Sequence, residues 1–189
     1  MRRGAFRFAV VNLGCKVNRV EADGFERLLA GRGGAPSSQA EADLIVVNTC
    51  TVTGEAEKKT RKAVRHALAA NEEAPVIVTG CATEIDAAAY EALGNRVTVV
   101  PKAGMALYLE EGAFLSRPPA GAASVLPADG RTRIGIKVQD GCDNACTYCI
   151  VHVARGRATS RNADEAVAEA VALARAGVRE IVLTGINLG

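Results

Sequence analysis

The chain has 189 residues, with 23 Lys+Arg against 21 Asp+Glu for a formal net charge of +2, and 49% of its residues are apolar. That is the profile of a folded protein of one or two domains, not of a disordered tail, and it provides no global electrostatic pull towards nucleic acid. Three Tyr, four Phe and no Trp leave too little material for a platform of base-stacking rings.

From the N-terminus, Met1-Arg2-Arg3 resembles the start of an export signal, but Arg7 interrupts the apolar run and no small-residue cleavage site follows. The stretch alternates instead, which predicts a strand over Phe6 to Asn12. Further strands are predicted at Asp43 to Asn48, Pro75 to Thr79 and Arg96 to Val100, each rich in Val and Ile. Between the second and third, Thr53 is the expected cap of a helix with Glu55 and Glu57 in its first turn. Ala56, Thr60, Ala63, Val64, Ala67 and Leu68 fall on its apolar face, opposite Lys58, Lys59, Arg61, Lys62 and Arg65. Alternating strands and helices predict an open parallel α/β sheet over residues 1–115.

Pro, Gly, Ser and Ala then replace the periodic pattern at Ser116 to Ser124, so residues 116–130 are expected to be a linker. A strand is predicted at Arg133 to Gln139, followed by a polar loop with three cysteines. The next helix has Asn162 as cap, with Glu165 three residues on, a buried stripe of Val167, Ala170, Val171 and Ala174, and Gly177 as stop. Glu180 to Thr184 reads as the following strand. Residues 131–189 thus form one βαβ unit, too short for either an open sheet or a barrel of about 250 residues. The expectation is a second domain that is incomplete, in a truncated chain.

Six cysteines carry most of the chemistry. With no export signal, and no run near the roughly 18 apolar residues of a membrane span, a cytoplasmic protein with reduced thiols is expected. Cys142, Cys146 and Cys149 lie at a C-x3-C-x2-C spacing in a loop after a strand. Three thiolates there could hold three corners of an iron–sulfur cubane and leave one iron open; zinc, or reduced thiols without a metal, are the alternatives. Cys15, Cys50 and Cys81 each follow the end of a predicted strand. In a parallel sheet such positions share the edge where ligands bind, so they could converge on a second cluster or be three small buried side chains.

The Cys142–Cys149 loop, with Tyr148 directly before its third cysteine, resembles the radical S-adenosylmethionine (SAM) signature. Lys137 to Cys142 and Ala154 to Arg161 are similar to the methylthiotransferases of that superfamily, as are Gly14 to Asn18, Asn48 to Thr53 and Thr79 to Cys81. Lys16-Val17-Asn18 and Leu183 to Gly189 resemble most the branch acting on threonylcarbamoyladenosine beside the tRNA anticodon. His152 departs from the pattern, since proline is common at its place; a structural role is expected for it, and a solvated one for His66.

The resemblance implies a flavodoxin/Rossmann-like domain followed by the first βαβ portion of a radical-SAM partial TIM barrel. It implies insertion of a methylthio group at an adenosine ring carbon, C2, whose C–H bond no side-chain base could activate. Cys142, Cys146 and Cys149 would hold a 4Fe-4S cluster that binds and cleaves SAM, with Tyr148, Thr184 and Gly185 lining the SAM pocket. Cys15, Cys50 and Cys81 would hold an auxiliary 4Fe-4S cluster carrying the sulfur to be transferred. The implied partners are tRNA and an electron donor such as flavodoxin or ferredoxin, with no membrane. Arg155, Arg157 and Arg161 are expected either in a solvated loop or in contact with SAM or RNA, and Lys58 to Arg65 or residues 131–161 could meet phosphates. The competing expectations are a methylthiotransferase acting on a ribosomal-protein aspartate and a zinc-stabilised RNA-binding module without redox chemistry.

Overall fold

The computed structural model describes residues 6–51, 54–112 and 133–188. The expected helix cap Thr53, the linker 116–130 and Arg131 lie outside the described residues. Five strands, β1 (Arg7–Asn12), β2 (Ala35–Pro36), β3 (Leu44–Thr49), β4 (Val76–Gly80) and β5 (Val97–Val99), form one parallel sheet in the order β2-β1-β3-β4-β5. This is the flavodoxin-like order, and its direction of winding reverses between β1 and β3. The four longer runs of Val and Ile form strands as their composition predicts; β2 has only two residues and no such signal.

Helices cover both faces. On one side α1 (Lys16–Gly31) and α5 (Lys102–Glu111) bury Phe25, Leu29, Met105 and Leu109 against Phe8, Leu44, Val46 and Ile77. On the other, α2 (Gly54–Ala70) places Val64 and Ala67 on Ile45, Val47, Val76 and Val78, and Tyr90 of α4 (Ala87–Glu91) joins them. β3 and β4 are buried along their whole length because both of their faces are covered, hence their unbroken apolar runs. The short α3 (Cys81–Ile85) follows β4 directly.

The second unit starts with β6 (Arg133–Lys137), which pairs in parallel with β9 (Glu180–Thr184) through the crossover helix α7 (Ala163–Arg175). The expected strand to Gln139 is interrupted at Val138; β7 (Gln139–Asp140) pairs antiparallel with β8 (Thr159–Ser160). Those two short strands pin the base of the cysteine loop, and α6 (Val151–Arg155) lies within it. Asn162 caps α7 by accepting from the Asp164 and Glu165 amides, and Gly177 ends it at φ +94°.

The buried stripe of α7 differs from the expected one. Leu173 packs with Ala166 and Ala170 on Ile134, Ile136 and Ile181, while Val167 and Val171 are 61% and 41% exposed and Ala174 is exposed. Both stripes have helical spacing and share Ala170. The large Leu173 turns its own face to the two-stranded sheet, leaving the smaller valines outside.

Candidate metal centre at the carboxyl edge of the sheet

The carboxyl ends of β1, β3 and β4 are held in register by Asn12–Asn48–Thr79 and Thr49–Gly80 pairings. Cys15, Cys50 and Cys81 leave the sheet at this one edge, beside the β1/β3 reversal where open α/β sheets bind their ligands. Cys15 is exposed and stands just before α1, whereas Cys50 and Cys81 are buried. Gly80 positions Cys81: at φ +107° it lies so close to Thr49 that a Cβ would stand 2.5 Å from the Thr49 carbonyl oxygen.

Asn18 ties the edge together. Its Nδ2 donates to the Thr49 carbonyl at 2.9 Å and Asn48 Oδ1 at 3.3 Å, Asn48 Nδ2 donates back to the Asn18 carbonyl at 2.8 Å, and Cys15 Sγ donates to Asn18 Oδ1 at 3.3 Å. Burial pushes the Cys81 thiol up; Arg155 and Lys102 pull it down, and Glu21 and Cys50 add to the rise. A thiolate there therefore needs a metal or comparable positive partner, which fits a metal-ligating role.

The second thiol set sits on the loop based on β7 and β8. The Cys142 amide donates to the Gly156 carbonyl at 3.0 Å and the Cys149 amide to the Cys146 carbonyl at 3.0 Å, so the loop is folded back on itself. Gly141 has φ +71°, and a Cβ would collide with the Arg157 carbonyl. All three thiols are partly exposed, and none of the six cysteines forms a disulfide. Among the described residues no three His, Cys, Asp or Glu side chains close around a single-ion position. A cubane spreads its thiolates over separate irons, so three free thiols per set remain the donor chemistry that it requires.

Tyr148 is 91% exposed beside Cys149. Thr184, by contrast, is buried at the end of β9. The adjoining turn is joined to the cysteine loop by Gln139, whose Oε1 accepts from the Ile186 and Asn187 amides at 2.8 and 2.9 Å. Gln139 Nε2 donates to the Asp140 and Gly141 carbonyls, both at 2.8 Å, and a Cβ on Gly185 would crowd the same side chain. Thr184, Gly185 and the start of the thiol loop are thus brought together, with Tyr148 on the outside.

Arg155 is buried and not in a solvated loop. Its side chain is 2% exposed and pairs with Glu21 Oε1 at 3.1 Å and Asp140 Oδ1 at 2.7 Å. Burial alone would raise the Asp140 carboxyl, but hydrogen bonds and charge from Arg155 and Lys137 hold it at about 2. Burial would likewise lower Arg155, and Glu21, Cys81 and Asp140 more than offset it, so its pKa is raised. Arg161 pairs with Glu165 and Glu169, Arg133 with Glu180, and Lys137 with Glu21 and Asp140. Arg157 alone of the loop arginines is open, 91% exposed and 3.5 Å from Asp143. Among the described residues, the basic side chains of 133–161 are therefore largely engaged in internal ion pairs. His152 is partly buried with its Nδ1 lacking a hydrogen-bond partner, and His66 is exposed.

The family model described as "Uncharacterized protein family UPF0004" matches residues 7–101, which contain Cys15, Cys50 and Cys81. The chain belongs to the UPF0004 family. The radical SAM superfamily model matches residues 136–187, the part of this UPF0004 protein that carries the C-x3-C-x2-C loop. That superfamily implies SAM and iron–sulfur chemistry. Relatives named "Threonylcarbamoyladenosine tRNA methylthiotransferase MtaB" include that of Chlamydia pneumoniae, 36% identical over 96% of this chain and 44% of its own length. The one from Bacillus subtilis (strain 168) is 35% identical over 94% of this chain and 43% of its own. A "tRNA-2-methylthio-N(6)-dimethylallyladenosine synthase" of Sphingopyxis alaskensis is 31% identical over 96% of this chain and 44% of its own. The chain thus spans less than half the length of these curated relatives, and the motif resemblance to radical-SAM methylthiotransferases agrees with them.

Proposed function

We propose that this chain carries the auxiliary-cluster domain and the opening of the SAM-binding domain of a radical-SAM tRNA methylthiotransferase. The observation that carries this is the grouping of thiols: three strand ends deliver Cys15, Cys50 and Cys81 to one sheet edge, while a separate pinned loop holds Cys142, Cys146 and Cys149. Each set would hold one 4Fe-4S cluster with an open iron. Residues 1–115 would form the first domain, 116–130 a linker and 131–189 the start of the second. The substrate would be the threonylcarbamoyladenosine beside a tRNA anticodon, methylthiolated at C2, as the names of the relatives suggest.

When bound, the clusters and SAM would supply the one-electron chemistry that an unactivated ring C–H requires. The residues of the chain bind and orient. Gln139 fixes the Thr184–Gly185 turn against the cysteine loop, the Tyr148 ring is open to a bound SAM, and Asn18 with Thr49 sets the thiol edge. An electron would come from a small reduced carrier such as flavodoxin or ferredoxin, in the cytoplasm. Among the described residues no helix is long and apolar enough to cross a membrane.

Expressed from its complete reading frame in cells that make unmodified threonylcarbamoyladenosine, the protein should convert it to the 2-methylthio form, read by mass spectrometry of digested tRNA. Methylthiolation of a ribosomal-protein aspartate in place of tRNA would overturn the substrate assignment, and tightly held zinc in a colourless protein would overturn the chemistry.

The charge on α2 favours RNA contact there over residues 131–161. Lys59 and Arg61 pair with Glu55 and Glu57, but Lys58, Lys62 and Arg65 form an exposed stripe at positions i, i+4 and i+7. Replacing all three by Ala should weaken tRNA binding and reduce the magnitude of the log Kd against log salt slope by about 2. An unchanged slope in a filter-binding titration would remove α2 from the interface.

A further inference from the structure

We propose that Arg155 is a positioning residue that locks the Cys142–Cys149 loop onto the sheet edge carrying Cys15, Cys50 and Cys81. The inference rests on the two-cluster function above and adds what holds the two thiol sets in fixed relation. One buried guanidinium spans both units. Its Nη2 donates to Asn18 Oδ1 at 2.9 Å, and that same oxygen accepts from Cys15 Sγ. Asn18 in turn holds the carbonyl of Thr49, the residue before Cys50.

On its other side, Arg155 Nη1 bonds Asp140 Oδ1, which also accepts the Gly141 amide at 2.9 Å, one residue before Cys142. The residue after Arg155, Gly156, accepts the Cys142 amide. Arg155 is therefore one side chain removed from Cys15 and Cys50 in one direction and one backbone step from Cys142 in the other. Only a planar fork with several donors reaches Asn18, Glu21 and Asp140 together; a lysine ammonium would keep the charge but lose the span.

The energetics argue against a purely structural bridge. A buried ion-pair network gives weak net stability, and apolar residues of similar volume often serve as well. Here three cations, Arg155, Lys137 and Lys102, face two carboxylates, Glu21 and Asp140, beside the buried Cys81, whose thiol feels Arg155, Lys102 and Glu21. Removing Arg155 takes one positive charge away from the thiol edge, which makes its surroundings more negative by one unit. Added negative charge near an iron–sulfur cluster disfavours its reduced form and lowers its potential.

The test uses Arg155→Gln, Arg155→Lys and Asp140→Asn, with hydrogen exchange on the metal-free chain and a redox titration of the reconstituted one. Arg155→Gln and Asp140→Asn should each speed exchange over residues 141–158 by about tenfold or more, with β3 and β4 unchanged. The potential of the cluster at Cys15, Cys50 and Cys81 should fall in Arg155→Gln and return towards wild type in Arg155→Lys, in which loop exchange stays fast. Unchanged loop exchange in both Arg155→Gln and Asp140→Asn, a uniform rise that includes β3 and β4 in both, or an unshifted potential in Arg155→Gln would overturn the proposal. If the unsubstituted chain assembles no cluster at the sheet edge, the two-cluster function fails and the exchange result alone decides the clamp.

Discussion

Replacing any one of Cys15, Cys50 or Cys81 by Ala should remove about half of the iron from the anaerobically reconstituted chain and leave the other half intact. Replacing Cys142, Cys146 or Cys149 should remove the complementary half. The effect is large because a site-differentiated cubane has only three protein anchors, and losing one leaves two irons without a thiolate. It is separable because the anchors belong to different structures. The first set hangs from β1, β3 and β4, whose cores are sealed by α1, α2 and α5. The second is closed by β7, β8 and the Cys142–Gly156 hydrogen bond. Iron assay together with electron paramagnetic resonance of each reduced variant reads both halves. Loss of all the iron, or of the same electron paramagnetic resonance signal, whichever of the six is replaced would mean a single shared site.

Gly80→Ala should be the most damaging single-methyl change in the first domain. The residue sits at φ +107°, where an L side chain is strained by about 1–3 kcal/mol. The new Cβ would also meet the Thr49 carbonyl oxygen at 2.5 Å and the Thr49 nitrogen at 2.6 Å, both backbone atoms of the central strand that cannot swing away. Adding the clash gives a loss of about 3 kcal/mol or more, a fall in melting temperature of roughly 6–12 °C by calorimetry. Relief by shifting β4 would move Cys81, so iron at the sheet edge should fall too. Gly24→Ala is the control: this glycine is inside α1 with open space around it, so the change should stabilise by about 0.5–1 kcal/mol. A Gly80→Ala protein as stable as the Gly24→Ala one would contradict the strained-edge geometry.

What could be foreseen from sequence follows from the range of the interactions involved. Cys15, Cys50 and Cys81 could be grouped because each follows a Val-rich strand, and parallel strands in register deliver their ends to one edge. The boundaries of β9 and the Asn162 cap of α7 were legible because caps and period-two runs are local. The buried face of α7 was not: valines and a leucine offer two overlapping stripes, and the two-stranded sheet beneath takes the one with Leu173. Arg155 was least legible. Its partners Asn18 and Glu21 stand 137 and 134 positions away, and a charge count over 131–161 cannot show that its cations are neutralised from α1 and α7. The Gln139-Asp140-Gly141 run just before Cys142 was the available hint, since two buried or half-buried polar side chains beside a thiol loop must find partners.

The most direct measurement is iron and sulfide content with Mössbauer spectra of the 57Fe-reconstituted chain, purified and handled without oxygen. Close to two cubane clusters, roughly eight irons per chain, is the expected result. Roughly four irons, unaffected by Cys15→Ala, would contradict a second cluster at the carboxyl edge of the sheet.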